Sequence, residues 1–184
     1  MLFAAVVLGL AISDLAISLH RLLNAAERVR WGLLSPLAAI VAFLKIITQW
    51  WTWYSAKPLA SALSFEMFIG VMIGAVLLFL MAAAALPETS EGETVVDLPS
   101  YYMRVRRRFW LLFASHWVVA TGVSIWVQVQ IEGARLNLLS PVFLIVPAAF
   151  LLAYFKAYWL HALCLSGLIV LYLSQLFGQH LAGA

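Results

Sequence analysis

Six apolar segments, each about as long as a membrane-spanning helix, occupy most of the 184-residue chain and leave short polar connections between them. A helix rises about 1.5 Å per residue, so about 20 apolar residues cross the hydrocarbon core of a bilayer. The segments lie near 2–19, 32–54, 64–86, 109–131, 138–155 and 158–178. They predict an all-α membrane helix bundle of about six transmembrane helices, formed by 1–184 as one domain, with a charged loop at 87–108.

Charge is too scarce in this chain to build a water-facing surface. Only 10% of its residues are charged and 65% are hydrophobic, whereas a soluble domain carries about 25% charged residues. A single cysteine, Cys164, excludes an intramolecular disulfide. The net charge of +3 fits Arg side chains beside anionic lipid, and nucleic-acid binding is not expected. The first segment lacks the leading basic residues of a signal peptide and predicts a retained helix.

Basic residues are distributed unevenly between the connections. Those after the first, third and fifth segments hold Arg21, Arg28, Arg30, Arg104, Arg106, Arg107, Arg108 and Lys156. Those after the second and fourth segments hold only Lys57 and Arg135. Cytoplasmic loops carry an excess of Lys and Arg, so the first group is predicted to be cytoplasmic and both termini extracytoplasmic.

Two patterns leave alternatives open. Residues 124–131 alternate polar and apolar side chains, but a helix is preferred because an open strand edge in lipid leaves backbone groups unpaired. The course of the chain over 124–137 stays open. Similar Leu-Leu-Ser-Pro sequences at 33–36 and 138–141 indicate either an inverted repeat, as in many transporters, or two ordinary helix starts.

Ionisable residues within the apolar segments are the candidates for a function, because charge inside a bilayer is costly and often marks a pathway. They are Asp14, Lys45, Glu66, His116 and His161. We predict that they form an ion or proton path, with Asp14 and both histidines toward the cytoplasmic side. Lys45 and Glu66 are predicted to form an ion pair toward the outer side.

Each candidate also has a structural interpretation. Glu66 fits a helix N-terminus, Lys45 fits a side chain that extends toward the interface, and each histidine fits a hydrogen-bonded packing residue. Gly70 and Gly74 have the G-x-x-x-G spacing that lets two helices pack closely. Ser124, Gln128 and Tyr172 are possible polar groups between the two ends of the path.

These residues favour a channel or transporter for protons or small cations, assembled as a homo-oligomer in the lipid bilayer. One alternative is an accessory or assembly subunit of a membrane complex. A second is a haem-binding protein that uses His116 and His161 as axial ligands. No metal site and no cofactor is otherwise expected, and enzyme signatures such as H-E-x-x-H, G-x-S-x-G and a P-loop are absent.

Three stretches resemble a family of small, multi-pass bacterial inner-membrane proteins. They are Arg28-Val29-Arg30, Gln49-Trp50-Trp51, and the run from Asp97-Leu98 through Tyr101-Tyr102 to Arg106–Phe109. The resemblance implies a bacterial inner membrane and this topology, and no catalytic residue. Ile12-Ser13-Asp14 is also faintly similar to the Phe-Ser-Asp element of six-helix bacterial potassium channels, although Ile12 replaces the phenylalanine.

Overall fold

The computed structural model describes residues 2–55, 65–88, 95–129 and 142–181. It contains the helices α1 (Leu2–Asn24), α2 (Leu34–Ser55), α3 (Phe65–Ala85), α4 (Leu98–Val127), α5 (Val142–Tyr154) and α6 (Tyr158–Leu181). The predicted helical architecture is confirmed. Five of these helices are long and apolar enough to cross a membrane, and α5 is apolar but shorter.

The first helix is longer than predicted. It continues to Asn24, five residues beyond the expected end, because no Gly or Pro lies within 20–24 and Nδ2 of Asn24 lies 3.0 Å from Nε2 of His20. Asp14 was expected near the end of this helix. It lies instead near the middle, about 15 Å along the axis from Asn24 at about 1.5 Å per residue.

The fourth helix begins at Leu98, eleven residues before the predicted start. The segment 98–108, expected as the second half of a charged loop, is therefore the first three turns of α4. Asp97 caps this helix, since its Oδ1 accepts the Ser100 N–H at 3.2 Å. That bond, with Arg30 nearby, lowers the pKa of the Asp97 carboxyl. The cap therefore stabilises α4 above about pH 4, the ordinary carboxyl value, and is lost as pH falls through the lower folded value.

A two-stranded parallel ribbon, which the sequence analysis did not predict, joins two of the connections. Strand β1 (Val29–Arg30) precedes α2, and strand β2 (Val96–Asp97) precedes α4. Val29 pairs with Val96 and Arg30 with Asp97, and Nη1 of Arg30 lies 3.7 Å from Oδ2 of Asp97. Because the strands are parallel, α2 and α4 leave the ribbon side by side.

The starts of α2 and α4 are also packed tightly beside this ribbon. Ser35 Oγ donates to the carbonyl of Leu98 at 3.4 Å. Gly32 lies against Pro99, so closely that a Cβ at position 32 would come within 2.6 Å of the Pro99 ring. The ribbon and these contacts hold the two helix starts together.

The connection between α5 and α6 lies at the same end of the bundle. Arg106 Nε, in the third turn of α4, donates to the carbonyl of Phe155 at 3.2 Å. Arg107 Nη2 approaches the Tyr154 hydroxyl at 3.5 Å. The basic residues that follow α1, α3 and α5 in the sequence therefore gather at one end, which we call the basic end.

Residues 124–129 are helical, ending in a short π-helical turn, so a helix was the correct prediction for the described part of 124–137. Gln128 Nε2 donates to Ser124 Oγ at 3.2 Å, and both side chains are exposed. The 138–141 half of the proposed repeat, Lys57 and Arg135 lie outside the described residues.

Helix α3 lies against α4, α1 and α2. Gly70 and Gly74 both face α4: a Cβ at Gly70 would lie 2.6 Å from Val123 Cγ2, and one at Gly74 would lie 3.8 Å from His116 Nδ1. Alanines elsewhere in the core, such as Ala75 and Ala114, are fully buried. Small side chains thus allow the close approach that helices in lipid rely on.

The contact at Gly70 can be tested with a pair of glycine substitutions. Gly70→Ala forces Val123 to move, and overpacking of this kind costs about 1–3 kcal/mol, against a gain in helix propensity of about 1 kcal/mol. Gly122→Ala has the same propensity gain, but its Cβ meets nothing within 4 Å. We expect a lower Tm in detergent for Gly70→Ala only. Equal Tm values for both variants would show that Val123 yields without cost.

Candidate functional site

The five predicted path residues do not form one chain of contacts. Lys45 and His116 meet through Gln49, near the middle of the bundle. His161 belongs to a second polar cluster at the basic end. Asp14 and Glu66 lie apart from both groups.

Lys45 lies near the middle of α2 and its side chain is only 6% exposed. Its Nζ donates to Gln49 Oε1, one turn later, at 3.2 Å. The same Nζ lies 4.1 Å from the centre of the Trp117 ring and 6.0 Å from that of Tyr172. The amine is thus enclosed by one amide and two aromatic faces, from α2, α4 and α6.

His116 is fully buried on α4 and has both ring nitrogens in contact with polar atoms. Its Nε2 lies 3.1 Å from Gln49 Oε1, and its Nδ1 lies 3.1 Å from the carbonyl oxygen of Gly74 on α3. We call Lys45, Gln49, His116 and the Gly74 carbonyl the Lys45 cluster. It connects α2, α3 and α4 at one depth.

The electrostatics of the Lys45 cluster are unusual because no described carboxylate is among the contacts of Lys45. Burying an ammonium group without a counter-ion costs free energy, and a cation–π contact with an aromatic face offsets only about 0.5–2 kcal/mol of that cost. The Lys45 amine thus lies buried without a described counter-charge.

The predicted ion pair between Lys45 and Glu66 is not formed. Glu66 lies exposed in the first turn of α3, where an acidic residue favours the helix N-terminus. It lines a cavity of about 200 Å³ together with Gly122, Val123 and Trp126. Glu66 and Gly74 are two turns apart on α3, and the contact of Val123 with Gly70 lies between the cavity and His116.

The second polar group, the His161 cluster, joins α4 to the start of α6. The Tyr102 hydroxyl lies 3.0 Å from His161 Nδ1, and Trp110 Nε1 lies 3.1 Å from both that nitrogen and the hydroxyl. His161 Nε2 lies 3.0 Å from the carbonyl of Phe155. A carbonyl only accepts, so Nε2 carries the hydrogen and Nδ1 accepts. Every polar atom of this cluster is matched, which favours a packing role for His161.

The two histidines are not arranged as haem ligands. Each ring nitrogen of His116 and His161 already contacts a polar group. His116 also lies six residues beyond Trp110, the neighbour of His161, which is about 9 Å along α4. Among the described residues no three His, Cys, Asp or Glu side chains converge as metal ligands would.

Asp14 is partly exposed at the edge of the buried face of α1, beside Ala11, Leu15 and Ser18. It makes no hydrogen bond or ion pair with the residues that the structure describes. Ser13, next to it, is exposed. A carboxylate at this depth, outside the interior of the bundle, needs a partner, a proton or water.

Several contacts of the candidate site were missed in the sequence. Gln49 was named only as part of a family resemblance, although its four-residue spacing from Lys45 places both on one helix face. The Gly74 carbonyl carries no sequence signal at all. Tyr102 and Trp110, eight residues apart, share a face of α4, but nothing local indicates that this face meets His161.

No protein-family model, no curated protein and no solved structure matches this chain. The resemblance to small bacterial inner-membrane proteins therefore stays a prediction. Function is inferred here from the residues and their geometry alone.

The packing role of His161 predicts an order of stabilities. Tyr102→Phe removes the contacts of the hydroxyl with His161 and Trp110 but leaves Trp110 Nε1 bonded to His161, for a loss of about 0.5–1.5 kcal/mol. His161→Leu leaves the buried Tyr102 hydroxyl without its acceptor, for a loss of about 1–3 kcal/mol. His20→Leu, an exposed control, should stay within about 0.5 kcal/mol. Thermal unfolding in one detergent ranks the variants, and a His161→Leu variant as stable as His20→Leu would contradict the role.

Proposed function

We propose that this protein moves protons across a membrane and that the Lys45 cluster is its proton-binding site. The observation that supports this most is the buried amine of Lys45, which shares one amide atom with a buried imidazole and has no described carboxylate beside it. An ionisable group buried in a membrane-spanning helix without a described counter-charge is the kind of group that marks proton pathways in membrane proteins.

We further propose six transmembrane spans, with α5 as the sixth. Tyr154, the last residue of α5, lies at the basic end, whereas the end of α4 lies at the opposite end. The chain must therefore cross between them. Basic residues favour the cytoplasmic side, so the basic end is cytoplasmic and both termini are outside. A bacterial inner membrane fits this distribution and the resemblance.

Protons fit this site better than metal cations. Hard cations such as Mg²⁺ and Ca²⁺ are bound by several oxygen atoms, and the Lys45 cluster offers an amine, an imidazole, one amide and one carbonyl. A charged Lys45 would also repel a second cation. The proposed substrate is therefore a proton, exchanged at Lys45 or His116.

The cluster is closed toward both sides, which favours a transporter over an open pore. On the outer side, Val123 packed against Gly70 separates His116 from the Glu66 cavity. On the basic side, the rings of Trp110, Phe113 and Trp117 follow one another along α4 with centroids 5.6 and 6.4 Å apart. A proton needs helix movement to reach either side.

Proton flux into liposomes, followed with a pH-sensitive dye under an imposed gradient, tests the proposal. We expect flux for the wild type and none above empty liposomes for Lys45→Met, which removes the amine but keeps the volume. Lys45→Met should be at least as stable as the wild type, because an apolar side chain replaces a buried polar one. Lys156→Met, which removes an exposed amine, is the matched control.

Two outcomes would overturn the proposal. One is wild-type protein, shown to be folded, that gives no flux under proton or potassium gradients. The other is full flux in Lys45→Met. The variant Asp14→Asn is measured in the same experiment. Reduced flux with normal folding would support a place for Asp14 on the proton path, and unchanged flux would exclude Asp14 from that path.

A second candidate function, an accessory subunit of a membrane complex, is favoured by Asp14. A partly exposed carboxylate in the middle of α1 suits a contact with another chain in the bilayer. We propose that this other chain is a second copy of the protein, so that a homo-oligomer pairs through α1. For the accessory function, the chain in contact with Asp14 would be a different protein.

A photo-crosslinking residue at Ser13, which is exposed beside Asp14, distinguishes these partners in native membranes. Crosslinking to a second copy supports the homo-oligomer, and crosslinking to one stoichiometric different protein supports the accessory function. The same residue at exposed Leu163 on α6 is the control. Lipid crosslinks alone at both positions would contradict a partner on α1.

A further inference from the structure

We infer that Gln49 couples the proton on Lys45 to the hydrogen bond between His116 and Gly74, so that a proton bound on α2 loosens the contact between α3 and α4. The inference rests on the proposed proton site and describes how that site would drive movement. Gln49 is a positioning residue in this scheme, because it carries no proton itself.

The coupling follows from the Gln49 side chain, because one atom of its amide has two polar neighbours. The same atom of the Gln49 amide lies 3.2 Å from Lys45 Nζ and 3.1 Å from His116 Nε2. A half-turn of the amide about its last side-chain bond places either its oxygen or its NH₂ group at that position. Lys45 Nζ and His116 Nε2 therefore either both face the amide oxygen, which accepts hydrogen bonds, or both face the NH₂ group, which donates them.

A neutral cluster gives every amide and imidazole hydrogen an acceptor when NH₂ occupies the shared position. The amide then donates one hydrogen to the lone pair of Lys45 Nζ and the other to His116 Nε2. His116 carries its hydrogen on Nδ1 and donates it to the Gly74 carbonyl, 3.1 Å away. No charge is buried, and the two hydrogens of the Lys45 amine are left to the aromatic rings beside it.

A proton on Lys45 reverses this arrangement. The ammonium has three hydrogens and no lone pair, so the amide must present its oxygen. That oxygen also needs a donor from His116, which moves the imidazole hydrogen to Nε2. His116 Nδ1 then holds a lone pair that faces the Gly74 oxygen, and two acceptors at 3.1 Å repel each other.

The change takes up one proton in total. Lys45 Nζ carries two hydrogens before and three after, His116 carries one on its ring in both states, and one proton enters from water. Keeping the hydrogen on Nδ1 as well would make His116 a cation beside the Lys45 ammonium. Two like charges in this buried space are much costlier than the loss of one hydrogen bond.

Few other groups can interfere with this switch. Among the described residues, α2 contributes Lys45 and Gln49, and α3 contributes the Gly74 carbonyl. His116 and Trp117 come from α4, and Tyr172 from α6. Trp117 Nε1 and the Tyr172 hydroxyl are buried without a hydrogen-bond partner in the described part of the chain. Of these groups only Lys45, His116 and Tyr172 are titratable.

The loosened contact lies beside the barrier toward the Glu66 cavity. Gly74 is one turn from Gly70, where Val123 closes that side. Losing the Gly74 bond and gaining a repulsion there pushes α3 away from α4 one turn from the tight contact between Gly70 and Val123. A proton on Lys45 thus favours opening toward the cavity, and its release favours closure.

The hydrogen position on His116 is measurable by NMR of ¹⁵N-histidine-labelled protein in lipid nanodiscs, from about pH 5 to about pH 11, which spans the ordinary pKa values of His and Lys. We expect the neutral His116 ring to carry hydrogen on Nδ1 at high pH and on Nε2 at lower pH. His161 should keep hydrogen on Nε2 throughout, as an internal control. His116→Gln assigns the signal.

Three variants separate the coupling from a general pH effect. Lys45→Met should hold His116 in the Nδ1–H form at every pH, and Gln49→Glu, whose carboxylate only accepts, in the Nε2–H form. Gln49→Met should uncouple His116 from Lys45. A wild-type His116 that keeps one tautomer over the whole range overturns the inference, and so does switching that persists in Lys45→Met.

The wild-type titration needs no variant to fold, so it decides the inference even if a substitution fails. Proton flux is read separately. Flux without a tautomer change would leave the proposed function standing and exclude the switch. A tautomer change without flux would retain the switch and exclude transport.

Discussion

The buried amine of Lys45 is the constraint on which the centre of this bundle depends. A lysine at that depth requires a polar neighbour and aromatic faces, and these come from three other places in the chain: Gln49 one turn away, Trp117 on α4 and Tyr172 on α6. Helices α2, α4 and α6 therefore converge on one atom. Small residues on α3 let His116 complete the arrangement from the remaining side.

The two buried histidines show how environment separates residues of one type. His161 lies between two donors on one nitrogen and a carbonyl on the other, so a single neutral form satisfies all of them. His116 lies between a carbonyl and an amide that must also serve Lys45, and its best form depends on the charge of Lys45. The first arrangement stabilises the fold, and the second is suited to respond to protons.

The positions of the helices along the chain could be predicted from the sequence, but the direction in which each helix face points could not. Apolar length was enough to locate all six, because each requires a long uninterrupted run. It misplaced the end of α1 and the start of α4, where basic side chains lie on helical turns that extend beyond the apolar run. The ribbon was missed because two residues per strand are too few to show a period. Pairing Lys45 with Glu66 was reasonable by charge, but helix rotation directs Lys45 to Gln49 and His116 instead.

The parallel ribbon has a mechanical consequence. It fastens the starts of α2 and α4 to each other through Val29–Val96 pairing and the Gly32–Pro99 contact, so these helices cannot slide or separate at the basic end. Any relative displacement of α2 and α4 must be a rotation about that fixed point, and its amplitude must grow with distance from the ribbon. The largest excursions then occur at the far tips of the helices, next to Glu66 and Trp126.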